Sequence, residues 1–530
     1  MTGRVTISRR GALAAGMGAA ALAARPAWAF TPSEGDAIGP IVERFRSAFQ
    51  IPGIGIAVVR ADADPWLRGY GVRTLGKPAP VDTDTLFAIA SNSKSFVAAS
   101  LALLVEEGKL AWDEPVLRYL PDFAMSDPDA TRLMTVRDLL VHRSGLALGA
   151  GDLMQFPLSD HSRMDMYRGL RHLPLAREFR SGYAYDNILY VVAGVLVERV
   201  SGLAWEDFVT ARLLRPLGMR TAVADRGRLP RGANVVARHA RLGPPVRGMG
   251  PLTLVDPDES LAASPAGGIH ASVTDISRWL AAQLGKGQPR GGARLWSAAQ
   301  SDEMWTPRVI TAATEGPTAH NPARPVLAGY ALGWVVSGYR GHRLIAHSGG
   351  LSGQITHTAL LPERGIGLAV LSNTEDRQAV TGLRNALLDH LIGNSGFDWV
   401  AATRAVIAEE QAEAVKLAGS GDFTAPPGGP SLPLAAYAGR YRDPWYGDVV
   451  VAERGGRLHM DFTRTPVFTS TLEPFGPDAF RTRFPKGAGE DAVSTFVIAD
   501  GAVTAIRMKA LSPLADFSYD FHDLDLKRVR

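Results

Sequence analysis

Apolar and polar positions along the chain alternate with one period near its start, another through its middle and the first again towards its end. Gly53 to Arg60 (GIGIAVVR) reads as a buried strand, with Trp66 to Val72 as its partner. Leu86 to Ala90 leads into a run from Asn92 to Glu107 that carries Phe96, Val97, Leu101, Leu103, Leu104 and Val105 on most of its sides. A helix apolar all round belongs at the centre of a core, and Gly108 is placed to cap it. From 110 to about 320, helical patterns mix with Gly/Pro loops, and Ile188 to Val200, stopped by Ser201-Gly202, is the clearest helix. Tyr330–Val336, Arg343–Ser348, Thr356–Leu361 and Ile366–Ser372 then read as four short strands, and Gln378 to Ile392 as a helix. Strands, a helical excursion, strands again and a helix predict one antiparallel sheet built from both ends of a domain.

Asp398 to Ala418 predicts a further helix, and Gly419 to Pro433 (GSGDFTAPPGGPSLP) a linker. Residues 434–530 alternate in short runs at Asp448–Ala452, Leu458–Phe462, Ala492–Ile498 and Val503–Met508, which predicts a separate small all-β barrel. No internal repeat is visible.

Residues 1–29 read as an export leader. Ser8-Arg9-Arg10 precedes an apolar run from Gly11 to Ala24, shorter than the about 20 residues a bilayer span needs. Ala27-Trp28-Ala29 is a small-x-small cleavage site, so the mature chain is expected to begin at Phe30, in the periplasm or outside the cell. The paired arginines resemble the twin-arginine signal, with Ala12 where that motif favours Phe; an ordinary Sec signal is the alternative. No other segment has the length and apolarity of a membrane span.

The leader also changes the charge balance. The chain of 530 residues has 57 Lys+Arg against 53 Asp+Glu, and the leader holds Arg4, Arg9, Arg10 and Arg25 with no acid. Without those four the balance is zero, which gives no reason to expect nucleic acid or an anionic membrane as partner. The absence of cysteine excludes disulfides, thiolate metal sites and a cysteine nucleophile.

Ser91-Asn92-Ser93-Lys94 stands where the central helix begins, and among the eight lysines Lys94 alone has a serine three positions before it. Positions i and i+3 share a helix face, so the Lys94 amine reaches the Ser91 hydroxyl. A helix start offers free N–H groups to an oxyanion forming at an acyl-serine, and apolar surroundings lower the affinity of a lysine for its proton. The structural alternative is an N-cap serine beside a chance lysine. Tyr185 and Asn187 stand two apart in SGYAYDN ahead of the next apolar helix: a phenol to relay a proton, an amide to order the lysine or bind substrate, or else a core tyrosine and a helix cap. His347-Ser348-Gly349-Gly350 closes a predicted strand, where glycines let substrate approach main-chain N–H donors; the alternative is a hairpin turn with a surface histidine. His-Glu-x-x-His, Gly-x-Ser-x-Gly and the phosphate-cradling Gly-x-x-x-x-Gly-Lys-Ser/Thr do not occur.

Ser-x-x-Lys, Tyr-x-Asn and His-Ser-Gly in this order resemble the serine β-lactamase and penicillin-binding-protein family, in its class C-like branch. FAIASNSKSF, LLVHRSGL, YAYDN, GGIHASVTDISRWL and HSGGLSGQ carry the resemblance over residues 36–395. It implies an α/β (α+β) fold: a five-stranded antiparallel sheet flanked by helices, plus a helical subdomain, over 30–395. A helix and linker over 396–433 and the barrel over 434–530 follow. YAGRYRDPWYGDVVV and DFSYDFHDLDL resemble the lipocalin-like barrel of some D-amino-acid peptidases of the family. The implied roles are Ser91 as nucleophile, Lys94 and Tyr185 sharing base duty, Asn187 as a polar contact, and His347, Ser348, Gly349 and Gly350 lining the substrate side. The Ser91 and Gly350 N–H groups would form the oxyanion hole.

The family's β-lactamases carry Lys where His347 stands, so the resemblance favours a D-amino-acid peptidase or carboxypeptidase, with esterase, β-lactamase and penicillin-binding sensor as alternatives. His142 and Ser144 in LLVHRSGL are expected to be structural, and His342 and His357 lack the spacing of metal ligands. The expectation is a short-peptide or other small-molecule substrate, no cofactor and no metal. A homo-oligomer is left open, as are the barrel's roles of capping the cleft, restricting substrates or driving assembly.

Overall fold

A computed structural model describes residues 32–529 except 62, 420–424 and 486–487, so the leader and part of the linker lie outside the described residues. Strand β1 (Gly53–Arg60) is buried along its length between β2 (Trp66–Gly71) and the last strand, β8 (Ile366–Ser372). Between them in the chain come β3 (Val309–Ala313), β4 (Leu327–Tyr330), β5 (Val335–Tyr339), β6 (His342–Leu351) and β7 (Gln354–Leu361). The sheet is antiparallel throughout, in the order β2-β1-β8-β7-β6-β5-β4-β3.

Eight strands correct the expected five. Tyr330–Val336 is not one strand but the end of β4 and the start of β5, parted by a turn where Gly333 has φ +75°. A Cβ on Gly333 would stand 2.8 Å from the Lys94 carbonyl oxygen, so this turn presses on the start of the central helix.

Alternation along β1 sends Ile54, Ile56 and Val58 to one face and Ala57 and Val59 to the other. The first face is covered by helix α1 (Pro32–Phe49) and two late helices, α5 (Arg377–Leu391) and α6 (Trp399–Gly419). The other packs on α4 (Val273–Leu284) and on the central helix α2 (Lys94–Glu106), where Phe96 stacks on Trp279 with ring centroids 3.9 Å apart. Helix α3 (Ile188–Ser201) anchors a helical layer against α2. No single helix among the described residues is long and apolar enough to cross a membrane.

The C-terminal barrel is closed by β9 (Gly439–Asp443), β10 (Gly447–Arg454), β11 (Arg457–Phe462), β12 (Thr469–Pro474), β13 (Ala479–Arg481), β14 (Ala492–Ala499), β15 (Ala502–Ala510) and β16 (Leu526–Arg528). Phe462, Phe468, Phe480, Phe496 and Phe521 are buried and meet edge-on or tilted, so aromatic rings fill this interior. The barrel also docks. Its Arg464 pairs with Asp160 and Asp165 of the helical layer, and the segment between β15 and β16 reaches the cleft beside Ser91.

Candidate active site

Ser91 does not cap the helix. It lies in a 3-10 turn, Ala90–Ser93, that runs directly into α2, and its Oγ faces the cleft. Ala90, just before it, is held at φ +48°, a conformation costing about 1–3 kcal/mol that surrounding structure must enforce. Three bonds to β7 do so: Asn92 Nδ2 donates to Thr356 Oγ1 (2.9 Å), Thr356 Oγ1 donates to the Ile89 carbonyl (3.0 Å), and Thr358 Oγ1 donates to Asn92 Oδ1 (2.6 Å). Gly349 lets β6 pass against the same turn, since a Cβ there would collide with the Ile89 carbonyl oxygen. That approach places Gly350 and Ser91 on one cleft wall.

Lys94 Nζ lies 3.2 Å from Ser91 Oγ and donates to Asn187 Oδ1 and the Ala266 carbonyl, each at 2.8 Å. A neutral amine has two N–H bonds and one lone pair. Two acceptors take the N–H bonds, which leaves the lone pair for the Ser91 hydroxyl. Burial pushes Lys94 down to about 7, opposed by the carboxylates of Asp152 and Asp186.

Tyr185 Oη lies 2.8 Å from Ser91 Oγ, and burial holds its phenol protonated well beyond the usual range. Its ring packs 4.3 Å from that of His142, whose Nδ1 accepts from the Asp186 main-chain N–H at 3.2 Å. His142 thus packs behind the tyrosine. Asn187 begins α3 without capping it and bridges Lys94 to Asp152.

His347 lines the cleft, yet it is no surface histidine. Its Nε2 lies 2.9 Å from Tyr330 Oη and its Nδ1 2.6 Å from the Ser348 carbonyl. Burial, with the Lys94 charge nearby, pushes it down to about 3, so it offers substrate a neutral ring. His357 turns to Thr381 instead, at 3.2 Å.

Ser91, Tyr185, Asn187, His347, Ser348 and Gly350 line one cleft of about 620 Å³, with Lys94 behind Ser91 and Gly349 packing against the turn. No motif in the sequence marks the individual residues of its far wall. Phe517 and Tyr519 of the barrel segment line it with the carboxylates of Asp258, Glu490 and Asp516. Asp152, buried in the loop GAGDL, carried no local signal either.

The Beta-lactamase family pattern matches residues 40–391. The chain belongs to the beta-lactamase family. A domain of unknown function (DUF3471) matches residues 424–528. Unguisins hydrolase ungD' of Aspergillus campestris (strain IBT 28561) is 30% identical over 437 residues, spanning 78% of this chain and 76% of that protein. D-amino acid amidase from Ochrobactrum anthropi SV3, solved with D-phenylalanine, is 25% identical with a TM-score of 0.55 over 68% of this chain and 100% of that one. The octameric penicillin-binding protein homologue from Pyrococcus abyssi shares the fold over 93% of this chain and 99% of its own, with a TM-score of 0.58 and 19% identity. This beta-lactamase family chain is a serine hydrolase of mixed α/β fold with a C-terminal barrel.

Proposed function

We propose that the chain is exported and cleaves amide bonds of small peptides or amino-acid amides bearing a D-residue, through an ester on Ser91. The observation that carries this reading is the amine of Lys94 and the phenol of Tyr185 both within hydrogen-bond reach of Ser91 Oγ. Ser91 Oγ attacks the amide carbon while its proton passes to Lys94. The oxyanion sits against the main-chain N–H groups of Ser91 and Gly350. As the C–N bond breaks, Tyr185 gives its proton to the leaving amine and regains one from the Lys94 ammonium. Water, deprotonated by Lys94, then cleaves the ester and restores Ser91.

Three supports favour an amide substrate of this class. A D-amino acid amidase is among the similar solved structures. His347 is neutral, so it lacks the cationic charge that a lysine at this place would offer the anionic group of a drug. Asp258, Glu490 and Asp516 in the cleft wall suit the amine of a substrate, while Arg247 and Arg377 line the same cleft and suit an anionic end. The leader supports export to the periplasm or beyond.

The test is a fluorophosphonate probe with mass spectrometry, followed by D-aminoacyl amides, p-nitrophenyl esters and nitrocefin assayed side by side. Fastest turnover is expected on the D-aminoacyl amides with a free amine, and N-acetylation is expected to slow it. Preference for the esters or for nitrocefin would replace this reading by an esterase or a β-lactamase. A stable penicillin adduct without turnover would replace it by a sensor.

A further inference from the structure

Four hydrogen bonds converge on the buried carboxylate of Asp152. Asn187 Nδ2 donates to both oxygens (2.9 and 3.2 Å), Gln155 Nε2 donates to Oδ1 (2.9 Å), and Ser518 Oγ, from the barrel segment, donates to Oδ2 (2.9 Å). A carboxylate accepts only, whereas an amide both donates and accepts. Asp152 therefore draws the NH₂ of Asn187 to its own side and turns the amide oxygen to Lys94. An amide turned over would set a donor against the N–H bonds of the amine and disturb the arrangement that frees its lone pair for Ser91.

The barrel also holds the main chain around Asp152. The carboxylate of Asp520 accepts from the N–H of Gly151 (2.7 Å) and of Leu153 (3.0 Å), the residues on either side. Beside Ser518 in the cleft wall, the Phe517 ring stands 6.2 Å from that of Tyr185, and the Phe517 carbonyl oxygen would lie 2.6 Å from a Cβ on Gly149. So close a seat leaves the 149–153 loop little freedom.

We infer that Asp152 is a positioning residue for Lys94, acting through Asn187, and that Ser518 and Asp520 of the barrel set Asp152 in place. The barrel thereby completes the catalytic base. This rests on the acyl-serine reading of Ser91 and Lys94.

The charge relations give the inference a readout beyond packing. Lys94 is faced by Ser91, Tyr185, Tyr190 and Asn187, and by the charges of Asp152 and Asp186; His142 and His347 feel its field. Asp152 is faced by Lys94, Asp516 and Asp520, and by neutral Asn187, Gln155 and Ser518. Burial pushes Asp152 up to about 7, opposed by the bonds from Ser518 and Asn187 and by the Lys94 charge; once ionised, it favours the Lys94 ammonium. Losing that anion makes the amine a free base at lower pH, so the acid limb of the rate moves down. Loss of the Ser518 bond weakens the anion and moves the limb the same way, by less.

The test uses the full chain and the rate at which a fluorophosphonate labels Ser91, measured from pH 5 to 9. Asp152→Asn is expected to slow labelling about 30-fold at pH 8 and to lower the midpoint of the acid limb by about one unit. Ser518→Ala is expected to slow it about fivefold with a smaller shift in the same direction, and Ser518→Thr to restore both. Wild-type rates in Asp152→Asn and Ser518→Ala, or slower rates with an unmoved limb and no rescue by threonine, would overturn the inference. If Asp152→Asn does not fold, the two Ser518 variants decide. A wild-type chain that labels elsewhere than Ser91 would bring down the acyl-serine reading itself, and this inference with it.

Discussion

The open sheet and the C-terminal barrel each have eight antiparallel strands, and they put them to different purposes. The open sheet leaves its ends free, and one strand, β6, carries Gly349 and Gly350 past the Ser91 turn, so the sheet's own backbone forms a cleft wall. The barrel has no free edge. Its interior is filled with rings, and among the described residues its connections reach the cleft, with Glu490 before β14 and residues 514–519 after β15. A strand placed in the site tolerates little change in its own backbone. A change in the core of the closed barrel is expected to cost stability while the segments it presents stay seated.

The largest test of this contrast is at the turn the sheet supports. Ser91→Ala is expected to abolish the fluorophosphonate adduct and lower hydrolysis by about 10⁴-fold or more with an unchanged melting curve. An adduct surviving in that variant would move the chemistry off the sheet. Gly349→Ala drives a methyl into the Ile89 carbonyl and forces β6 from the turn, and acylation is expected to fall by about 10²-fold. Unimpaired acylation would show that the wall need not be so close.

In the wild type, kcat/KM is expected to rise with pH to a plateau above about 7, where buried Lys94 loses its proton, and to stand about 100-fold lower at pH 5. The sign follows from the neutral amine being the base, so an activity that falls as pH rises through 7 would exclude that role. Phe462→Ala, inside the barrel, is expected to cost about 3–5 kcal/mol in a denaturant titration and to change kcat/KM at 25 °C by less than about twofold. The smallest effect is expected from Gly501→Ala, in the β14–β15 turn at φ +73° with open space around it: on the order of 1 kcal/mol of stability and no kinetic change.

What could be read in advance follows the range of each interaction. Ser91 and Lys94 are three positions apart, so their meeting is a property of one helical turn. Tyr185 and Asn187 lie more than ninety positions downstream, and only the resemblance joined them to that turn. Ser518 touches Asp152 across 366 positions from a loop without periodicity, so no local pattern announces it. Among the strands, β1 and β8 are buried throughout and stand out as apolar runs. β3 lies at the sheet edge with Ile310 exposed, so its pattern resembles the loops beside it. The split of β4 from β5 was hidden because Gly333 follows Ala331-Leu332 in a continuous apolar stretch.

The grip of Ser518 and Asp520 on the 151–153 loop also limits how the C-terminal module can be exchanged. A chimaera receiving the barrel of a relative needs a hydroxyl and an acid two positions apart, presented at the same height, whatever the rest of that barrel looks like. Conversely, a natural chain that has lost the aspartate has no use for the serine, so the two are expected to come and go together across lineages.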